Sequence, residues 1–233
     1  MEANLTNISL VKLTITLIPV TLVLFIFMYW SLSTKRLYHA FVRMLVQLLL
    51  VGYILSYIFT TDNAWLIGLL LLVMVLISSW IAITNLTTIN KTLFFRAFLA
   101  IIFSSIFVLF TVTQGVLDVT PWYDPKTILP LAGMIFANAM NSVSLSAERF
   151  FNELQRQEPY HIARNIAFQT AMIPNVNALF AVGIVSLPGM MTGQILSGVS
   201  PFIAARYQIM VMCMLFASAG LASALFLRIN KPK

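Results

Sequence analysis

Charge is scarce in this sequence. Only 9% of the 233 residues are charged, while 60% are apolar, and the mean hydropathy is +0.94. A soluble domain carries about a quarter charged residues, so this chain has too little polar surface to cover a water-facing globule. The composition therefore excludes a soluble enzyme and a disordered chain, and it predicts a membrane protein.

Residues for metal binding and catalysis are also few. The chain has one cysteine, Cys213, and two histidines, so neither an intramolecular disulfide nor a Cys/His zinc cluster can form. None of its nine glycines is followed by lysine, so the phosphate-binding loop G-x-x-x-x-G-K-[ST] is missing. A membrane enzyme needs a buried nucleophile and base or a metal cluster. We therefore expect no catalytic residue and no bound cofactor in this chain.

Long apolar runs are abundant. A membrane-spanning helix needs about 20 predominantly apolar residues, and about seven such segments with short connections use nearly the whole chain. We expect helices, because the strands of a membrane barrel would alternate polar and apolar residues. The predicted spans are residues 10–30, 41–59, 64–83, 94–114, 127–146, 172–194 and 202–227. The sequence thus predicts an all-α, polytopic membrane helix bundle that forms one domain over residues 1–233.

The basic residues predict an orientation, because lysine and arginine accumulate in short cytoplasmic loops. With the N-terminus outside and the C-terminus in the cytoplasm, eleven of the fourteen basic residues lie on the inner side. The eleven are Lys35, Arg36, Arg43, Lys91, Arg96, Arg149, Arg156, Arg164, Arg228, Lys231 and Lys233. The net charge of +7 then reflects membrane topology, and nucleic acid is not an expected partner.

Polar side chains inside a membrane are costly and are therefore functional candidates. In the second span, Arg43 and Gln47 are four residues apart and share a helix face. Arg43 is close enough to the cytoplasmic end to extend its guanidinium into the headgroups. Gln47 lies deeper, so its amide needs a partner at a helix interface or in a water-filled cavity. Gln47 is therefore a packing residue or part of a translocation path.

The fifth span is the least apolar. Met134, Asn138 and Asn141 follow one face at spacings of four and three, beside a patch of small residues at Gly133 and Ala137. Such a helix can pack closely while it presents polar atoms to a central path. Alternatively, the amides only form hydrogen bonds with neighbouring helices.

The sixth span contains the sequence Ser-Leu-Pro-Gly-Met-Met-Thr-Gly. Pro188 lacks an N–H donor, so with Gly189 and Gly193 it predicts a kink or break at membrane depth, where transporters often bind substrate. The two glycines also form a G-x-x-x-G pattern that suits a close helix contact, including one in a dimer. We interpret Met190 and Met191 either as thioether ligands for a soft metal or as apolar side chains that fill space in the bundle. The predicted path comprises Gln47, Met134, Asn138, Asn141, Pro188, Gly189, Met190, Met191, Thr192 and Gly193.

Residues 148–169 form the longest predicted cytoplasmic segment. Glu153 lies four residues after one arginine and three before another, which predicts an amphipathic extension of the fifth helix ending near Pro159. A short second helix is expected to start near Tyr160. This surface can dock a soluble partner or lie on the anionic inner leaflet. The coupling candidates are Glu153, Arg156, Tyr160, His161 and Arg164.

Several blocks of the chain resemble the FetB/YbbM-type ABC transporter permeases, a family that includes the plant aluminium-tolerance permeases. The blocks are Arg43 with Gln47-Leu48 and residues 51–53, residues 132–135 and 138–140, Ile173-Pro174, residues 183–193 and residues 207–210. The resemblance implies a multi-pass permease subunit of a bacterial inner membrane, which forms a homodimer and is driven by ATP on a separate ATPase chain. It also implies that the coupling segment docks that ATPase.

The substrate remains open between two classes. The bacterial branch of the family is associated with iron export and metal or oxidative-stress resistance, and the plant branch with a nucleotide sugar. Iron prefers carboxylate, imidazole or thiolate ligands, whereas the predicted membrane interior contains no aspartate or histidine. Amide side chains suit a hydrated, chelated or organic solute at least as well. A secondary transporter or channel is the alternative mechanism, although no buried carboxylate is predicted that could relay protons.

Overall fold

The structure is a computed structural model that describes residues 10–60, 63–86 and 89–232, without the side chains of residues 10 and 11. Lys233, one of the predicted inner-side basic residues, lies outside this range. Contacts divide the chain into two compact units with the boundary between residues 61 and 62. The described residues are mostly helical, which confirms the predicted all-α class.

The first unit contains two predicted spans. Its helices are α1 (Leu10–Ile15), α2 (Leu17–Tyr29) and α3 (Lys35–Ile58). Thr16 separates α1 from α2, and both its N–H and its hydroxyl donate to the carbonyl of Leu13, at 3.1 and 2.7 Å. Lys12–Tyr29 nevertheless forms one apolar stretch of 18 residues with a mean hydropathy of 2.0, and α3 has a value of 1.9. Both are long and apolar enough to cross a membrane.

The second unit contains the longer helices. They are α4 (Ala64–Ile83), α5 (Lys91–Gly115), α6 (Pro125–Gln155), α7 (Tyr160–Ala181), α8 (Gly189–Leu196) and α9 (Pro201–Ile229). The starts of three helices are fixed by side-chain caps, because Asn63, Asn90 and Asp124 each accept a hydrogen bond from a backbone N–H of the first turn. Such caps satisfy donors that have no partner within the helix.

The interior of the second unit is built on small side chains. Helix α6 packs against α4, α5, α7 and α9, and its fully buried residues include Ala132 and Ala139. Buried alanines on the facing helices, such as Ala97 and Ala167, let the backbones approach closely. Many large apolar side chains, such as Phe107, are nevertheless exposed. A helix bundle with such an apolar exterior is suited to a lipid environment.

Six helical stretches of the described residues are long and apolar enough to cross a membrane. They include α4, whose bounds are those predicted, and α5, α6 and α9, which extend beyond the predicted spans. The predicted span over residues 172–194 is interrupted, as the predicted kink or break requires, because α7 ends at Ala181 and α8 begins at Gly189. The predicted total of seven spans and the predicted orientation stay predictions.

The segment between α6 and α7 partly follows its prediction. Helix α6 extends to Gln155, as the predicted amphipathic extension requires, and a turn separates it from Tyr160. The expected short helix at Tyr160 is wrong as a separate element, because it forms the first turns of the 22-residue helix α7. Pro159 directly precedes this helix, where its fixed φ is compatible with a helix start.

Candidate translocation path and coupling surface

A group of neutral polar side chains joins three helices of the second unit. The amide nitrogen of Asn138 on α6 lies 3.0 Å from the amide oxygen of Asn175 on α7 and 2.6 Å from the carbonyl of Leu215 on α9. It is also 3.4 Å from the hydroxyl of Ser218. With a rise of 1.5 Å per residue, Asn138 lies about 20 Å along α6 from its start. The contact is therefore well inside the bundle.

A second layer of hydroxyl groups lies one turn further along α6. The hydroxyls of Ser142 on α6 and Ser223 on α9 are 2.7 Å apart, and Ser142 donates to the carbonyl of Ala171 on α7 at 3.4 Å. Both serines are buried. Hydroxyl and amide groups commonly bond helices together inside membranes. We call the five side chains Asn138, Ser142, Asn175, Ser218 and Ser223 the polar cluster.

Only one of the predicted path residues on α6 belongs to the polar cluster. Asn138 is half-buried and bonds the neighbouring helices, Met134 is half-buried against the apolar core, and Asn141 is exposed. The other amide of the cluster, Asn175, is absent from the predicted path, although the Ile173-Pro174 block directly precedes it. In the first unit, Gln47 lies on α3 with an exposed side chain.

Helix α7 has a weakened backbone beside the polar cluster. Pro174 lies inside the helix and has no N–H to donate to the carbonyl of Thr170. The Thr170 hydroxyl donates to the carbonyl of Ile166 at 2.8 Å. A hydrogen bond is thus missing from the helical ladder one residue before Asn175, which makes α7 easier to bend at the cluster.

The predicted break lies after Ala181 and has an ordered backbone. The Ala181 carbonyl accepts hydrogen bonds from the N–H groups of Val185 and Ser186, at 2.8 and 3.0 Å. Gly183 adopts a φ of +84°, and its N–H donates to the carbonyl of Ser186 at 2.9 Å. Backbone groups need such partners wherever water is excluded. The break is therefore a compact turn closed by Gly183.

The structure corrects the role expected for Pro188. This residue does not kink a continuous helix, because it directly precedes α8 with an extended backbone conformation. The carbonyl of Pro188 accepts a hydrogen bond from the Thr192 hydroxyl at 3.1 Å. A Cβ atom added at Gly189 or Gly193 would meet no atom within 4 Å. The G-x-x-x-G pattern therefore makes no close contact within the described residues.

The two methionines of α8 are half-buried, and Met190 packs against the apolar core of the second unit. This position is compatible with the interpretation of Met190 as an apolar packing residue. No group of three or more histidine, cysteine, aspartate or glutamate side chains that could hold a metal ion occurs within the described ranges.

One end of the second unit is organised around a buried carboxylate. Glu153 on α6 is only 3% exposed, and its carboxylate lies 2.7 Å from the guanidinium of Arg149 and 3.5 Å from that of Arg156. Two cations compensate the cost of burying the charge. Both ion pairs lie within the end of α6, so they stabilise this end of the helix itself, and most of the Arg156 side chain remains exposed.

Tyr160 connects three helices at the same end. Its ring meets the buried ring of Phe150 on α6 edge to face, with 6.0 Å between centroids. Its hydroxyl donates to the carbonyl of Leu227 on α9 at 3.2 Å. The charged groups of Arg164 and Lys231 each lie 5.8 Å from the ring centroid, within the range of cation–π attraction. The neighbouring His161 is exposed.

Sequence reasoning also missed a buried amide on α9. Gln208 is 5% exposed, and its amide oxygen accepts no hydrogen bond within the part of the chain that the structure describes. A buried polar atom without a partner is unfavourable unless water or a ligand meets it. Gln208 lies in the 207–210 block that carried the family resemblance, which was the only signal available.

Comparison with known proteins identifies the family. The model described as "Uncharacterised protein family (UPF0014)" matches residues 10–232. The chain belongs to the UPF0014 family. No solved structure matches it. The family match confirms the resemblance seen in the sequence blocks. The UPF0014 chain is thus a multi-pass protein of a bacterial membrane.

Three relatives show how the family is distributed. The UPF0014 chain is 34% identical over 205 residues to a UPF0014 membrane protein of Synechocystis, covering 82% of this chain and 79% of the relative. It is also 34% identical to the "Probable iron export permease protein FetB" of Escherichia coli, with coverage of 78% and 74%. Its identity to the protein ALUMINUM SENSITIVE 3 of Arabidopsis thaliana is 27%, with coverage of 78% and 70%.

Proposed function

We propose that this UPF0014 protein is the permease subunit of an ATP-driven transporter that exports iron or another metal species. The observation that carries the proposal is the polar cluster between α6, α7 and α9, beside a broken helix, in a relative of a protein named as an iron export permease. Polar groups and interrupted helices inside a membrane are typical of transport pathways.

The polar cluster suits a path that opens and closes. Hydrogen bonds between membrane helices contribute on average about 0.6 kcal/mol each, so the bonds of Asn138 can be exchanged for bonds to a solute at a small cost. Helix α7 can bend at Pro174, next to the cluster, and it ends at the turn closed by Gly183. In the proposed mechanism, α7 moves relative to α6 and α9 as access changes sides.

In the proposed transporter, energy comes from a separate ATPase chain, and two copies of the permease pair with two ATPase subunits. The ATPase contacts the exposed side chains of Arg156 and His161 at the turn between α6 and α7. Tyr160 directly follows this turn and bonds to α9. In this mechanism, movement of the turn shifts α9 through the Tyr160 hydrogen bond, and α9 carries Ser218 and Ser223 of the polar cluster.

The chemistry of the polar cluster supports a second substrate class. Its groups are amides, hydroxyls and backbone carbonyls, all of them neutral. Such groups bind a chelated metal or an organic solute, such as a nucleotide sugar, at least as well as a bare ion. We therefore propose an organic solute as the alternative cargo of the same ATP-driven permease.

The proposed docking surface is tested by charge reversal. The chain is co-expressed with a candidate ATPase, and co-purification and ATP turnover are measured. We expect the double variant Arg156→Glu/His161→Glu to lower the recovery of the ATPase at least fivefold and to lower ATP turnover in parallel. The variant Lys126→Glu, at the far end of α6, serves as the control and should retain both.

Equal recovery of the ATPase with the double variant and the wild type would place the docking surface elsewhere. Failure of the wild type to bind any ATPase would contradict the proposal as a whole. Circular dichroism and detergent gel filtration of each variant show whether the bundle remains folded.

A further inference from the structure

A basic pocket lies between α7 and α9 at the end of the second unit that contains Tyr160. It has a volume of about 320 Å³ and is lined by Arg164, Asn165, Phe168, Ala224, Leu227 and Arg228. Arg228 is exposed and Arg164 is half-buried. The pocket thus combines two guanidinium groups with an apolar wall.

The charges of this pocket are not neutralised by the protein. Within the described residues, neither Arg164 nor Arg228 takes part in an ion pair. The guanidinium of Arg164 donates instead to the neutral amide oxygen of Asn165, at 2.9 and 3.1 Å. Lys231 adds a third positive charge nearby, since its ammonium, like the guanidinium of Arg164, lies 5.8 Å from the centroid of the Tyr160 ring. An anion is the ligand that this arrangement attracts, because arginine forks bind phosphate with charge-assisted hydrogen bonds.

An apolar groove continues from the same pocket. It runs between α5 and α9, has a volume of about 460 Å³, and shares Ala224 and Arg228 with the basic pocket. Three residues of α5 and two leucines of α9 line the rest of the groove; they are Phe103, Ser104, Phe107, Leu221 and Leu225. Arg228 therefore lies where a site for an anion meets a surface for a hydrocarbon chain.

We propose that this combined site binds one anionic phospholipid, with its phosphate between Arg164 and Arg228 and an acyl chain in the α5–α9 groove. Basic pockets between membrane helices at the cytoplasmic side are suited to anionic headgroups. The charges favour an anionic lipid over a zwitterionic one, and the groove favours a lipid over an acidic protein loop, which would leave the apolar surface uncovered. The proposal does not rest on the proposed transport function.

The test measures lipid binding to the full chain. The protein purified in detergent is titrated with phosphatidylglycerol or phosphatidylcholine of identical acyl chains, and bound lipid is counted by native mass spectrometry. We expect phosphatidylglycerol to bind at least tenfold more tightly. The variants Arg164→Gln and Arg228→Gln should each lower its affinity at least threefold, and the double variant should abolish the preference.

Two further variants distinguish the effect of a charge outside the pocket from the effect of the shape of the site. Lys91→Gln removes an exposed charge at the start of α5, at the same end of the bundle but outside the pocket, and should leave binding unchanged. Ala224→Phe fills the junction of pocket and groove without changing charge, and should weaken phosphatidylglycerol binding at least threefold. Because Ala224 is exposed, we expect this substitution to leave the packed interior intact, and an unfolding midpoint equal to that of the wild type is the check.

Four results would overturn the proposal. Equal affinity for the two lipids, or unchanged affinity in the double arginine variant, would show that the pocket does not select anionic lipid. Displacement of the lipid by millimolar inorganic phosphate, with Ala224→Phe without effect, would identify a site for free phosphate. Loss of ATPase binding in the arginine variants, with lipid binding intact, would identify a protein-docking surface.

Discussion

Substitution of Asn138 measures how much the polar cluster contributes to the stability of the bundle. Substitution by alanine removes the amide that joins α6 to Asn175 and Leu215. Because interhelical hydrogen bonds in membranes contribute from a few tenths to about 1.7 kcal/mol, we expect Asn138→Ala to lower the free energy of unfolding by about 1 kcal/mol. Denaturation in mixed micelles measures this change.

The matched control is Asn141→Ala, three residues further along the same helix. Its side chain is exposed, so we expect no change in stability beyond a few tenths of a kcal/mol. If Asn138 lines the path as well as packing, transport by Asn138→Ala should fall more than the loss of folded protein explains. Equal stability of the two variants would contradict the assigned contacts.

The sequence could indicate some of these residues but not others. Asn138 and Asn141 are both amides in an apolar helix, so both could be recognised as candidates. Which of them turns inward depends on how α6 is rotated against α7 and α9, and a single sequence does not contain that information. Asn175 and Gln208 were missed for the same reason, because their burial results from packing between distant segments.

At the scale of the helices, the turn after α7 is the most distinctive element. Its closure requires the φ of +84° at Gly183, a conformation that costs an L-residue roughly 1–2 kcal/mol. We therefore expect Gly183→Ala to lower the thermal unfolding midpoint and to reduce transport. Differential scanning fluorimetry in detergent measures the first effect.

Two other glycines of the same segment serve as controls. Gly189 and Gly193 have open space where a Cβ atom would lie, and neither has a positive φ. Gly189→Ala and Gly193→Ala should therefore leave the unfolding midpoint nearly unchanged. A larger effect at Gly189 than at Gly183 would show that the start of α8, and not the turn, determines the stability of the break.

The break between α7 and α8 could be predicted in part from the local sequence. A proline with two nearby glycines correctly indicated that residues 172–194 could not form one helix without a kink. Its position was misplaced, because Pro188 is compatible with a helix start and the chain leaves the helix earlier, at Ala181. A helix start at Tyr160 was predicted, but as a short separate element, and its continuation into the span predicted from residue 172 was not.

For the whole molecule, the basic residues predict which side faces the cytoplasm. Cys213 is the single cysteine, so Cys213→Ala gives a background in which introduced cysteines can be compared. With the predicted orientation, an impermeant maleimide applied to intact cells should label Lys126→Cys and should label Lys231→Cys only after the cells are broken. The reverse pattern would invert the orientation and with it the proposed coupling surface.

The architecture at this scale followed closely from composition. A charged fraction of 9% required a membrane protein, and long apolar runs required helices. Composition does not determine which helices meet. The central place of α6 results from small residues such as Ala132 and Ala139, which fit against four neighbouring helices, and this arrangement is a property of the packed bundle.

In the proposed mechanism, this chain transports solute at the expense of ATP hydrolysed by a partner chain. The most direct measurement reconstitutes the chain with its ATPase in proteoliposomes and follows iron and nucleotide sugars. We expect transport of one of these two classes of solute, and we expect it to require ATP and both chains and to be reduced by Asn138→Ala. Transport driven by a proton gradient alone, without the ATPase, would contradict it.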